Sequence, residues 1–172
     1  MIDETQRAIC HEAGHATVAL HLGFPIERIS VSKGFPFCHI SLDTPDRKLQ
    51  ERYIVLGAGI AAEQHLYQWH NPTACARDTA MIAARGGQSI ETYLPAALRI
   101  IELNDCRFRR FVWKLTCRMQ EEICVGSFAA GGSLADPALP SFDLLSIDEI
   151  QVIWRDTARP SGDYSMHQRV AK

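Results

Sequence analysis

Asp3-Glu4-Thr5-Gln6-Arg7-Ala8-Ile9-Cys10-His11-Glu12-Ala13-Gly14-His15-Ala16-Thr17-Val18-Ala19-Leu20-His21-Leu22-Gly23-Phe24-Pro25 reads as one helix with its start, apolar face and stop written out. Asp3 followed by Gln6 is a capping pair, an oxygen acceptor ahead of the first turn and an amide that reaches back to it. From Arg7 to Leu22, the residues Ile9, Ala13, Ala16, Ala19 and Leu20 recur at helical spacings. Gly23 and Pro25 then end the helix in the expected order. His11 and His15 lie four residues apart on it, a rotation of about 400°, or ~40° net. Both imidazoles share one face and can bind one metal ion. Zinc suits two neutral imidazoles, an oxygen ligand and one open water position. Glu12, next to a ligand, is placed to act as general base on that water. A buried structural pair of histidines and a non-catalytic metal site are the plainer readings of His-x-x-x-His. Glu at the second position, the upstream cap and the small neighbours Ala13 and Gly14 favour the hydrolytic one.

The third ligand is open on spacing alone. His21 completes the 11, 15, 21 spacing of metalloproteases that use three histidines. Their helix ends at a glycine seven residues after the first His, where this chain has Val18. If the helix runs to Leu22, His21 lies about 600° beyond His15 and points ~120° away from it. The other candidates are Glu63, His65, His70, Cys75 and Asp78. Glu63 follows the small residues Gly57 to Ala62 and fits a buried carboxylate close to the first helix. Asp78 has Ala74, Met81 and Ile82 at apolar spacing around it.

Outward from the motif, residues 26–31 and 37–42 alternate partially and predict two short strands around Ser32-Lys33-Gly34-Phe35-Pro36. Pro45 and Asp46 open a second helix reaching Tyr67 or Trp69. Gly57 and Gly59 each cost about 1 kcal/mol in a helix interior relative to Ala. They imply either that another backbone passes close by or that the helix is interrupted. A third helix covers about 74–84 and stops at Gly86-Gly87. A long fourth runs from about Thr92 to Val125, with Pro95 in its opening turn. Ser146-Ile147-Asp148-Glu149 is a capping box for a last helix through Trp154. The expected fold is therefore a mainly α (α+β) domain over residues 1–158, with a small β-hairpin or sheet and a polar tail at 159–172.

Composition narrows the function. Eighteen Lys plus Arg against twenty Asp plus Glu give a net charge of -2, no field to select nucleic acid. Arg107, Arg109, Arg110, Lys114 and Arg118 form a basic run, read as a solvated helix face. The six cysteines form no Cys-x-x-Cys pair and read as reduced thiols. Cys10 beside His11 is a poor nucleophile pair, because adjacent helical side chains point about 100° apart. The glycine pairs lack the Lys-Ser/Thr continuation of a phosphate loop. The N-terminus is acidic and polar, unlike a secretory signal. The apolar stretches near 54–62 and 128–134 fall short of the ~18 residues of a spanning helix. No membrane insertion and a cytoplasmic location are expected.

Three segments together carry a resemblance: His11-Glu12-Ala13-Gly14-His15-Ala16, Gly59-Ile60-Ala61-Ala62-Glu63 and Arg77-Asp78-Thr79-Ala80-Met81-Ile82-Ala83. In order and approximate spacing they resemble the peptidase domain of the FtsH-type AAA+ membrane proteases, well over residues 5–84 and loosely beyond. The resemblance implies that His11, His15 and Asp78 hold Zn2+, that Glu12 is the catalytic base, and that Glu63 lies near the site. Ile60, Gln64 and Arg77 depart from the family's usual basic, acidic and amide residues. A peptidase domain standing alone, without ATPase module or membrane anchor, is expected; a separate ATPase partner stays open but is not indicated by the sequence. The expectation is a zinc endopeptidase that cleaves flexible or unfolded polypeptides without ATP. A homo-oligomer is expected too, from the rings of the family and from Phe108, Phe111, Trp113 and Leu115 spread around the fourth helix. A catalytically weak or inactive interaction module and a small-molecule zinc hydrolase are the alternatives; a narrow pocket would favour the latter.

Overall fold

The computed structural model describes residues 4–32, 35–41, 48–69, 75–122 and 142–155. Helix α1 (Glu4–His21) carries the histidine motif and is buried along most of its length. Its end is a Schellman closure: Phe24 N–H donates to the Ala19 carbonyl (2.8 Å) and Gly23 N–H to that of Leu20 (3.2 Å). This closure needs a residue at positive φ, and Gly23, at 76°, supplies it. Asp3, the expected cap, lies outside the described residues.

Strands β1 (Ile26–Ser32) and β2 (Phe35–Ile40) pair antiparallel as expected. A third strand, β3 (Phe142–Leu145), pairs with the other edge of β1, so the order is β2-β1-β3. The sequence reading took this segment as a connection. Four residues are too few for a period, and it is the unpaired edge of β1 that makes them a strand.

Helix α2 (Leu49–Tyr67) runs unbroken through Gly57 and Gly59 and ends at Gln68, whose φ is 56°. Pro45 and Asp46 lie outside the described residues. Close approach, one of the two expected readings, holds at Gly59, against a side chain, and not at Gly57, where a Cβ would meet Leu94 at an ordinary 3.5 Å. A Cβ on Gly59 would fall inside the His11 ring. From α1, a Cβ on Gly14 would lie 2.6 Å from the Ala58 carbonyl oxygen and 2.5 Å from Ala62 Cβ. The two helices therefore cross backbone to backbone at the motif.

Helix α3 (Ala76–Ala84) is followed by Gly86 at φ 72° and a 3-10 turn at Ile90–Thr92. The single long helix expected next is two, α4 (Leu94–Leu103) and α5 (Asp105–Glu122). Asn104 makes the break. Its side-chain amide donates to the Ile100 carbonyl (2.8 Å), and its side-chain oxygen accepts from Arg107 (2.9 Å). Such local bonds compete with the helical ladder. One face of α5, Phe108, Phe111, Leu115 and Met119, is fully buried in the core with Ile9, Ala13, Ala16, Phe24 and Ile29.

Helix α6 (Ile147–Arg155) forms the expected capping box: Ser146 N–H donates to Glu149 Oε2 (2.9 Å), and Glu149 N–H returns to Ser146 Oγ (3.4 Å). Part of the basic run on α5 holds this helix. Arg107 stacks over Trp154 at 4.3 Å, and Arg118 donates to Glu149 at 2.6 Å. Arg109 pairs with Asp105 within its own helix. Among the described residues no helix is long and apolar enough to cross a membrane. The tail expected from 159 lies outside them.

Candidate metal centre

The centre is assembled from three helices. α1 contributes His11 and His15, 5% and 6% exposed; α2 contributes Glu63, 1% exposed; α3 contributes Asp78, 8% exposed and in its first turn. The histidine rings stand edge to face, 4.7 Å apart. Gly59 and Glu63, four residues apart, share one face of α2. The glycine leaves room for the His11 ring, and the carboxylate one turn on holds it.

Each ring is fixed by its far nitrogen. His15 Nδ1 lies 2.8 Å from the Val55 carbonyl, which can only accept, so the proton is on Nδ1. His11 Nδ1 lies 2.8 Å from Glu63 Oε1. With the protons there, both Nε2 lone pairs face Asp78 Oδ2, at 3.1 Å from His11 and 3.4 Å from His15. At these separations a proton or a metal ion lies between the carboxylate and the imidazoles. In a tetrahedral site with ~2.0–2.1 Å bonds, ligand atoms stand about 3.3–3.4 Å apart. The two separations to Asp78 lie near that spacing, and the His11–Glu12–His15 cluster can hold a divalent ion such as zinc.

The electrostatics agree. Burial alone would depress both imidazoles. Asp78 and Glu63, bonded to the His11 ring, outweigh it and raise His11 to about 10; Asp78 likewise raises His15. Burial would raise the Asp78 carboxyl, but His15 and His11 hold it well below the usual carboxylate range.

Glu12 is half-buried beside the pair, and the three motif residues bring potential ligand atoms within 4.8 Å of one another. Its Oε2 accepts the Cys38 N–H at 2.7 Å. Cys38 is on β2, the outer strand of the sheet, so the general-base candidate touches a strand edge. His21 turns the other way, with Nδ1 3.1 Å from the Asn104 amide, as its helical phase implied. His65 pairs with Asp105 (2.8 Å) and His39 with Ser30 (2.6 Å). His70 lies outside the described residues. The Val55 carbonyl and the Cys38 amide were not foreseen, because backbone groups leave no mark in the residue pattern. Cys75, open as a candidate in the sequence, lies close to His11 and Glu63, with a potential ligand atom of each within 4.8 Å of the others.

Fold and site together define a mainly helical domain whose first helix carries a His-Glu-x-x-His arrangement consistent with a metalloprotease active-site motif. No family model matches the chain, and no curated protein matches it.

Proposed function

We propose that the protein is a zinc-dependent endopeptidase, similar to the peptidase domain of FtsH-type proteases, that cleaves flexible or unfolded polypeptides without ATP. The observation that carries this reading is the convergence of His11 Nε2, His15 Nε2 and Asp78 Oδ2 beside Glu12. Zinc, when bound there, supplies a Lewis acid for the scissile carbonyl and the attacking water. The chain supplies the rest. The Val55 carbonyl and Glu63 orient the two imidazoles toward the ion. Glu12 accepts the proton of the attacking water and passes it to the leaving amine. The Cys38 amide steadies the Glu12 carboxylate and brings the outer edge of β2 to the reacting bond. An extended peptide pairing with that edge would lie across the centre. The reading places the protein in the cytoplasm, with an unfolded polypeptide as its partner.

Glu12→Gln tests it. The amide is nearly isosteric and leaves the ligands intact but cannot take the proton. Cleavage of an unstructured protein by the zinc-loaded chain should fall at least ~100-fold, with zinc still bound near one per chain. Retention of more than ~10% of turnover would remove Glu12 from the role of essential base.

A further inference from the structure

His11 has a carboxylate on each ring nitrogen, Glu63 Oε1 at 2.8 Å from Nδ1 and Asp78 Oδ2 at 3.1 Å from Nε2. Once a bound cation has displaced one of its protons, the imidazole has a single N–H and a single lone pair, so the ring offers that lone pair to one side at a time. With the proton on Nδ1 it donates to Glu63 and turns its lone pair toward His15 and Asp78. With the proton on Nε2 it donates to Asp78 and turns its lone pair toward Glu63. Either tautomer keeps a hydrogen bond to a carboxylate without moving the ring.

A further donor lies within reach of the ring. Glu63 sits at Nδ1, and the buried thiol of Cys75, at the start of α3, joins Glu63 and His11 in a group whose potential ligand atoms fall within 4.8 Å of one another. From this we infer that His11 Nδ1, Glu63 and Cys75 form a second, inhibitory position for a thiophilic divalent cation, which competes with the His11–His15–Asp78 centre for His11. The competition rests on the zinc reading above; the second position itself does not.

The chemistry favours a soft ion. One sulfur, one nitrogen and one oxygen prefer cadmium or excess zinc over magnesium or calcium. A thiolate and a carboxylate neutralise a dication, which offsets the cost of burying it. Tetrahedral ligands stand about 3.4–3.9 Å apart, so closing the site needs a shift on the order of 1 Å. On binding, the Cys75 S–H bond breaks, an Sγ–metal bond forms, and the proton leaves to the buffer. No electron changes hands. His11 exchanges its Nδ1 proton for one on Nε2. Burial first, then Glu63 and Asp78, push the Cys75 thiol up to about 12, so it stays protonated until a cation displaces the proton.

The test is a cadmium titration of the zinc-loaded full chain, followed by the ultraviolet charge transfer of the cadmium–thiolate bond, by zinc release and by peptidase turnover. The band should grow as zinc leaves and turnover falls. Cys75→Ser should abolish the band; Cys106→Ser, at an exposed thiol, should leave it unchanged. A band that survives Cys75→Ser overturns the assignment, and one that saturates with zinc and turnover intact overturns the competition. Cadmium NMR of the wild-type chain needs no variant: a resonance typical of one-sulfur ligation is expected, and sulfur-free ligation alone overturns the second position. His15→Ala separates the two readings. It should lose zinc but keep the cadmium–thiolate band; zinc retained at full affinity would sink the peptidase centre alone, and loss of the band would sink the second position alone.

Discussion

The two histidines of α1 are held in different ways. His15 is pinned by a backbone carbonyl, whereas His11 depends on a buried carboxylate and on the gap left by Gly59. Removing Asp78 takes away the convergent oxygen, so Asp78→Ala should lower zinc affinity by at least ~10-fold with helix content retained. Equilibrium competition with a chromogenic chelator measures it, and unchanged affinity would pass the role to another oxygen. The proton economy adds a second expectation. His11 in the metal-free chain is raised to about 10 from an unfolded value near ~6.5. Its stabilisation is therefore fully present below pH ~6.5 and lost as pH rises through about 10. Zinc must displace that proton, so affinity should climb up to ~10-fold per pH unit for each proton released, between about pH 7 and 9. Asp78, depressed well below this range, adds no slope there. A flat profile would mean that the imidazoles are already neutral in the metal-free protein.

At the scale of elements, the crossing of α1 over α2 decides where the ligands meet. Gly→Ala in a helix gains about 1 kcal/mol in propensity, whereas overpacking a rigid contact costs about 1–3 kcal/mol. At Gly57 the new methyl would meet the Leu94 side chain at 3.5 Å, an ordinary contact, so propensity should win. At Gly14 it would meet the Ala58 carbonyl oxygen at 2.6 Å, and a backbone cannot yield cheaply. Gly57→Ala should raise the melting temperature by ~2–4 °C and Gly14→Ala should lower it. Calorimetry that found both variants stabilised would refute the close crossing. Elements with their own signals were legible: α1 with its glycine stop, the β1–β2 pair, and α6 with its capping box. The Asn104 break was not, although Asn104-Asp105 is a pair that favours turns and caps over helix interiors. β3 had no local signal, since its strand character comes from its partner.

For the whole molecule, the structure changes the grounds for self-association. Phe108, Phe111 and Leu115, read in the sequence as apolar surface in need of a cover, are buried in the chain's own core, and of that set Trp113 is left 45% exposed. α5 was read alone, without α1 and α6 against it. The expected homo-oligomer then rests on the family resemblance. Sedimentation across a tenfold range of concentration should still show a mass above 19.2 kDa for the chain alone. A constant monomer mass up to ~100 μM, well above ordinary dissociation constants, would set the oligomer aside.

Sequence by itself determined the helical class, the helix that carries the motif and the common face of His11 and His15, because each follows from the local period of one segment. It also marked Gly57 and Gly59 as a place of close approach or interruption, since glycines inside a helix cost stability unless space requires them. Tertiary structure decided how distant groups meet those rings and Glu12. Val55, Cys38, Glu63 and Asp78 come from three other elements, and two of them act through the backbone. Their meeting depends on how deeply α1 and α2 interpenetrate and where α3 docks. Those are properties of packed surfaces, which spacing along one chain does not encode.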